Sequence, residues 1–356
     1  MYHPKKNFIP AEWHPQDGVI LTWPHPDSDW AEVLQQIEPE FVSMAAATSR
    51  FENVLVICRE PAHEQHIRGL LASAGKTGIE AKAENIRYAH IKTNDTWSRD
   101  FGPISIVRDG QPQLLDFKFN GWGGRYPAEL DNAVNGHLRD LGFFATELQP
   151  QNFILEGGSI ESDGAGTLLT TRRCLLNDRR NPGDLDALTR ALLDYLPVQR
   201  VLWLEHGMLL GDDTDSHIDN LARFVAEDTL VYLQCEDPSD EHHEELHAMA
   251  AELTRFRTPG GAPYKLVPLP MPRAIFSRVD SRRLPASYVN FLIINEAVLV
   301  PQFNDPADEV ALRTLEQCFP DRRMIGIDSR GFVEQNGGIH CLTMQVAAGG
   351  LKYLNH

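Results

Sequence analysis

The sequence predicts an α/β protein in which strand pairs and helices interleave from end to end. Short apolar runs alternate with longer amphipathic stretches along all 356 residues, which is the pattern of strands and half-buried helices in alternation. A faint repetition accompanies it: Asp95, Glu156, Asp219, Asn290 and His340 lie 61, 63, 71 and 50 residues apart, most of them followed by an apolar run. Such spacing suggests a ring of supersecondary units, with motifs remote in sequence meeting at a central axis. No linker rich in Ser, Pro or Gly divides the chain, so one domain spanning residues 1–356 is expected.

In chain order, the apolar run 18–23 reads as the first strand and 30–48 as a helix, because Val33, Leu34, Ile37, Phe41, Met44 and Ala45 recur on one face. Strand 53–58, helix 63–74 and strands 104–108 and 113–119 follow, then a loop-like, Gly- and aromatic-rich insertion at 120–132. Strand 167–171, helix 185–196 and strands 201–204 and 229–234 come next. Helix 241–256, strands 289–294 and 297–302 and helix 307–319 complete the reading.

Composition limits the functions available. A net charge of -17 and the absence of any Lys/Arg cluster beyond pairs such as Arg179-Arg180 and Arg282-Arg283 argue against nucleic acid as a partner. The same acidity favours the approach of a small cation. Five cysteines without a C-x-x-C pair indicate neither a disulfide framework nor structural zinc. The first residues lack an apolar signal core and no stretch approaches 18 apolar residues, so a cytoplasmic protein with no membrane partner is expected.

The residues suited to chemistry are dispersed. Cys341 follows Gly337 and Gly338, which leave room for a ligand to approach the main chain; Cys58, Cys235 and Cys318 sit among apolar neighbours and read as core. Cys174 also reads as core, although Arg172 and Arg173 beside it would lower its pKa. If the segments are extended, His340 points away from Cys341, whereas Asp213, Asp215, His217 and Asp219 alternate onto one face, which makes His217 the better base. That acidic run lacks the glycine and glutamate of a calcium loop, and no second histidine stands at ligand spacing for a transition metal. Trp97 with Asp95 and Asp100 supplies an aromatic face and carboxylates, the pair that a planar guanidinium recognises. Glu156, before Gly157-Gly158, is placed to hold a substrate nitrogen or move a proton. Neither a nucleophile elbow nor a nucleotide-binding glycine pattern occurs.

Seven blocks are similar to those of the agmatine deiminase and bacterial peptidylarginine deiminase-like family, part of the pentein, or guanidino-group-modifying, superfamily. They begin at Pro10-Ala11-Glu12-Trp13-His14-Pro15, Trp97-Ser98-Arg99-Asp100, Asp116-Phe117-Lys118-Phe119-Asn120, Leu155-Glu156-Gly157-Gly158, Thr214-Asp215-Ser216-His217, Leu284-Pro285-Ala286-Ser287 and Ile339-His340-Cys341, in the family's order. The resemblance implies a five-bladed α/β propeller of ββαβ units. It implies Cys341 as nucleophile, His217 as general acid–base, Asp100 and Asp219 as guanidinium clamps, Glu156 as a substrate-orienting carboxylate and Trp97 as an aromatic contact. It further implies a small cationic guanidino substrate, agmatine before free or peptidyl arginine, with neither metal nor organic cofactor; a homo-oligomer is allowed for. The chain departs from the family's pattern at Asn336, Gly121 and Ser216, which flank the reacting atoms. Arg125, Arg282 and Arg283 are the cations available to read a substrate carboxylate. Two readings of other classes stand beside this one: a metal-dependent amidohydrolase built on residues 213–219, and a guanidinium-binding module without turnover.

Overall fold

In the computed structural model, which describes residues 6–76 and 80–352, the described residues form five small mixed sheets. Four of them share one plan: an antiparallel pair, a helical crossover, and a third strand returning parallel to the second. Ile104–Arg108 pairs with Gln111–Lys118, which then pairs with Leu148–Ile154 after helix Val134–Asp140. The second unit is Ile160–Ser162, Thr167–Thr171, helix Leu185–Tyr195 and Arg200–Leu204. The third is Ala222–Ala226, Thr229–Gln234, helix His243–Leu253 and Lys265–Pro270. The fourth is Leu292–Ile293, Ala297–Gln302, helix Ala307–Cys318 and Arg323–Asp328.

The fifth unit closes the ring with both ends of the chain. Thr343–Ala347 pairs antiparallel with Gln16–Thr22, which runs parallel to Asn53–Cys58 after helix Leu34–Ser49; helix Pro61–Gly75 then leads to an added strand, Ile86–His90. This is the five-bladed α/β propeller that the repetition and the resemblance predict. Helix Leu34–Ser49 turns Ile37, Phe41, Met44 and Ala45 into the core, as its periodicity requires.

The ring explains why the chemistry is scattered. Each unit's first strand is entered through a polar turn: Asp100 before Ile104, Glu156 before Ile160, Asp219 before Ala222, Asn290 before Leu292 and Cys341 before Thr343. Asp100, rather than Asp95, therefore holds the repeating position in its unit. The strand expected at 289–294 is confined to Leu292–Ile293. The residues before it turn instead, because the Ser287 hydroxyl accepts from the Val289 N–H and Asn290 reaches across to the Cys341 segment.

Candidate active site

Cys341 lies in a turn, not an extended strand, and is 5% exposed. The glycines before it are required by close approach. A Cβ at Gly337 would lie 2.1 Å from the Trp97 ring, and one at Gly338 would lie 2.5 Å from Asn290 Oδ1. Asn290 grips the turn from the neighbouring unit: its Oδ1 accepts from the backbone of His340 (3.0 Å) and Cys341 (3.4 Å), and its Nδ2 lies 3.1 Å from Cys341 Sγ. Asp219 Oδ2 stands 3.5 Å from the same sulfur. Burial first, then the charges of Asp219 and Asp100, push the thiol well above its ordinary range, with Asn290 opposing.

His340 does point away from the cysteine, though a turn rather than strand alternation sends it there. Its Nδ1 faces Asp219 Oδ2 at 2.8 Å and its Nε2 faces Glu12 Oε2 at 2.7 Å. Arg223 and Arg99 also approach Glu12, at 2.8 and 3.6 Å. Burial alone would favour the neutral acid of Asp219, but His340, with His217 and Arg99 adding, keeps this carboxyl below its usual value. Asp100 is treated differently: burial raises it to about 6, with His217 opposing and Asp219 and Glu156 adding to the rise. Its Oδ2 accepts from Trp122 Nε1 (2.9 Å) and its Oδ1 from the Gly158 N–H (3.0 Å).

His217, Asp219 and Asp100 converge beside Gly158. A Cβ there would meet His217 Nδ1 at 2.6 Å, Asp100 Oδ1 at 2.9 Å and Asp219 Oδ2 at 3.1 Å, so no larger residue fits. His217 Nδ1 is 3.6 Å from Asp100 Oδ1, and neither ring nitrogen has a hydrogen-bond partner among the described residues. Burial opposes charge on this ring, but Asp100, Cys174 and Glu156 together raise its pKa well above the ordinary value.

The single acidic face expected of residues 213–219 is not formed. Asp215 and Ser216 adopt left-handed backbone conformations (φ 66° and 68°), which breaks the alternation. Asp213 turns to Tyr126 and Asn336, Asp215 to Arg125 and Arg180, and His217 to Asp100, so of the four only Asp219 contacts the cysteine. The metal reading loses its ligand set accordingly. Among the described residues, Glu156, Cys174 and His217 are the one group bringing three ligand-type atoms within 4.8 Å of one another. Both oxygens of Glu156, however, accept from Arg180 Nε (2.7 and 3.0 Å), a buried cation that repels a metal.

A cleft of about 440 Å³, counting the part open to solvent, leads to Cys341. Trp97, Trp122 and Tyr126 form its aromatic walls, and Asp29, Asp95, Asp100 and Asp213 supply its charge. Asp95 accepts from Trp97 Nε1 (3.0 Å) and Trp30 Nε1 (3.1 Å), which fixes the wall. Burial first, with Asp29 adding, raises Asp95 to about 7. No basic residue among those described lines the cleft. Arg125 is engaged with Asp215, Arg282 with Asn336 and the Glu334 carbonyl, and Arg283 with Asp240. Of the residues expected to act, Cys341, Asp100 and Trp97 border the opening, while His217, Asp219 and Glu156 lie behind them, fully buried.

Comparison with known proteins places this arrangement in a family of guanidino-group deiminases. The chain belongs to the Porphyromonas-type peptidyl-arginine deiminase family, whose profile matches residues 8–347. It is 33% identical to the agmatine deiminase of Pseudomonas syringae pv. tomato, over 96% of this chain and 95% of that protein. A substrate-bound Campylobacter jejuni agmatine deiminase superposes with a TM-score of 0.88 at 36% identity, covering 99% of each chain. A Porphyromonas gingivalis protein, assigned only provisionally as an arginine deiminase, gives 0.88 at 45% identity over 98% of this chain and 100% of its own.

Asn290 and Arg180 were not singled out as site residues by the sequence, and Asp213 was named only within the acidic run 213–219, not as a wall of the cleft. Asn290 had a signal, since it occupies a repeat position. Arg180 lies in an otherwise solvent-facing charged stretch, and Asp213 was hidden by the assumption of an extended segment.

Proposed function

We propose that this protein is an agmatine deiminase, hydrolysing the guanidinium to N-carbamoylputrescine and ammonia through a covalent intermediate on Cys341, a step toward putrescine. The observation that carries the choice of substrate is the acidic cleft without a free cation. Agmatine presents a cation at each end. Arginine would bring its α-carboxylate to the same walls, against Asp29, Asp95 and Asp213 and with no arginine to receive it.

Asp100 and Asp219 hold the guanidinium plane so that the sulfur approaches carbon from one face. The thiol, kept protonated in the empty site, releases its proton to solvent through the cleft as the bound cation offsets the two carboxylates. The thiolate then bonds to the guanidinium carbon. The charged His217 ring gives its proton to the departing nitrogen, ammonia leaves, and an amidino-thioether remains. Neutral His217 next takes a proton from water, whose oxygen attacks the same carbon; the C–S bond breaks and the urea product is released. No step draws on a metal or an organic cofactor.

Ammonia release from agmatine, arginine and an arginine peptide tests this reading: turnover of agmatine alone supports it, and preferential turnover of either arginine substrate overturns it. Because Asp100 is protonated below about 6 in the empty enzyme, it cannot hold a cation there. The kcat/KM for agmatine should therefore fall as pH drops through 6, approaching tenfold per unit, in initial-rate profiles. Asp213 is a wall carboxylate of the cleft, bonded to Tyr126 and Asn336. Asp213→Asn should raise the KM for agmatine about tenfold or more, as loss of a contact to a charged group implies, with little change in kcat; an unchanged KM would remove Asp213 from tail recognition.

A further inference from the structure

Cys174 is the buried thiol beside the site that the reaction described above does not use. It lies on the single helical turn Arg172–Leu175, wholly inaccessible. Thr171 sets its place twice over: Thr171 Oγ1 accepts from the Cys174 N–H (3.3 Å) and donates to the carbonyl of Ser216 (2.7 Å), the residue before His217. One hydroxyl thus ties the thiol's turn to the histidine's turn. The sulfur, one oxygen of Glu156 and one ring nitrogen of His217 all lie within 4.8 Å of one another.

A charged imidazole carries two N–H donors, and leaving either without an acceptor in a buried site is costly. Nδ1 faces Asp100. Behind the ring, Arg180 Nε holds both Glu156 oxygens to itself at 2.7 and 3.0 Å, and the Cys174 sulfur is the other acceptor within 4.8 Å of a His217 nitrogen. The arginines adjacent in sequence do not ionise it: Arg172 turns to Glu205 and Arg173 to Glu245. Burial instead raises the thiol's pKa, with Arg180 and His217 opposing, contrary to the lowering expected from the sequence. Cys174 is therefore a neutral sulfur at the back of the histidine.

We propose that Cys174 is a positioning residue for His217: in the charged ring the nitrogen turned away from Asp100, unpartnered in the empty site, donates to this sulfur, which aims the opposite N–H at the departing ammonia. The proposal rests on His217 being the general acid–base. The charged and titratable groups facing the ring are Asp100, Asp219 and Glu156, with Arg180 behind Glu156, and Cys174 itself. Removing an acceptor from this set disfavours the charged ring, so its titration moves to lower pH.

The test is the pH profile of kcat for agmatine in the wild type, Cys174→Ala and Cys174→Ser. Cys174→Ala should lower kcat about tenfold, a part of the ~10²–10⁴ that general acid–base catalysis supplies, leave KM nearly unchanged and shift the His217 limb to lower pH. Cys174→Ser, which restores an acceptor, should recover most of the rate and the limb. Wild-type behaviour of Cys174→Ala, or equal impairment of both variants with an unmoved limb, would overturn the proposal in favour of simple packing. The His217 titration followed by ¹⁵N NMR with and without Cys174→Ala, both in a Cys341→Ser background, reads the same shift without turnover. A protein inactive on agmatine would then overturn the functional reading while this comparison still decides the role of Cys174.

Discussion

Cys341→Ser should fold as the wild type does, still bind agmatine, and release ammonia at least about 10⁴-fold more slowly, since removing a nucleophile that works with its acid–base partner leaves only binding and positioning. The substitution replaces sulfur by oxygen in a turn whose geometry is set by the Asn290 carbonyl oxygen and by two glycines, not by the thiol. Circular dichroism and thermal unfolding should therefore be unchanged. A hydroxyl in this place stays protonated, because even the thiol is held high by burial and by Asp219 and Asp100. Bound guanidinium offsets those carboxylates by enough to ionise a thiol but not an alcohol. Ammonia release by this variant at a rate near the wild type's would end the thiol mechanism.

The largest effect on stability is expected at Arg180, not at a residue that meets substrate. Its side chain is fully buried, donates Nε to both oxygens of Glu156, and reaches Asp215 Oδ2 (2.8 Å) and the Thr214 carbonyl (2.9 Å). Arg180→Met leaves Glu156 a buried carboxylate with no cation and frees the turn that presents His217. Breaking a buried pair in this way costs about 3–5 kcal/mol, which denaturant unfolding would register. The double variant Arg180→Met, Glu156→Gln removes the stranded charge and should regain a large part of that loss, while remaining impaired in turnover. If Arg180→Met proved as stable as the wild type, the pair would not hold this part of the fold together.

What the sequence made legible follows from where each strand lies in its unit. The middle strands, such as Thr167–Thr171, Thr229–Gln234 and Ala297–Gln302, are mostly or wholly buried and therefore appear as plain apolar runs. Most outer strands escaped the reading because they are half-solvated edges. Lys265–Pro270 carries two prolines, and Arg323–Asp328 has a charge at each end and Gly326 inside it, so neither reads as an uninterrupted run. The site was legible as residue types, since Cys341, His217, Asp100, Asp219, Glu156 and Trp97 do gather at the strand starts. Their supports were not, because the contacts of Asn290 with Cys341 and of His340 with Asp219 bridge separate units and exist only once the ring closes, while Arg180 meets Glu156 through a turn inside one unit. The left-handed residues Asp215 and Ser216 broke the alternation expected of 213–219. Neither is a glycine, so nothing in the residue types announced the bend.

The central claim is a covalent bond between Cys341 and the substrate's guanidinium carbon. Acid-quenching the enzyme during turnover of agmatine, digesting it and weighing the peptide that contains Cys341 tests that claim most directly. A mass increase equal to agmatine less ammonia, on Cys341 and absent from the same peptide of Cys341→Ser, is the result predicted. Steady ammonia release with Cys341 unmodified at every quench time, and undiminished in Cys341→Ser, would contradict it.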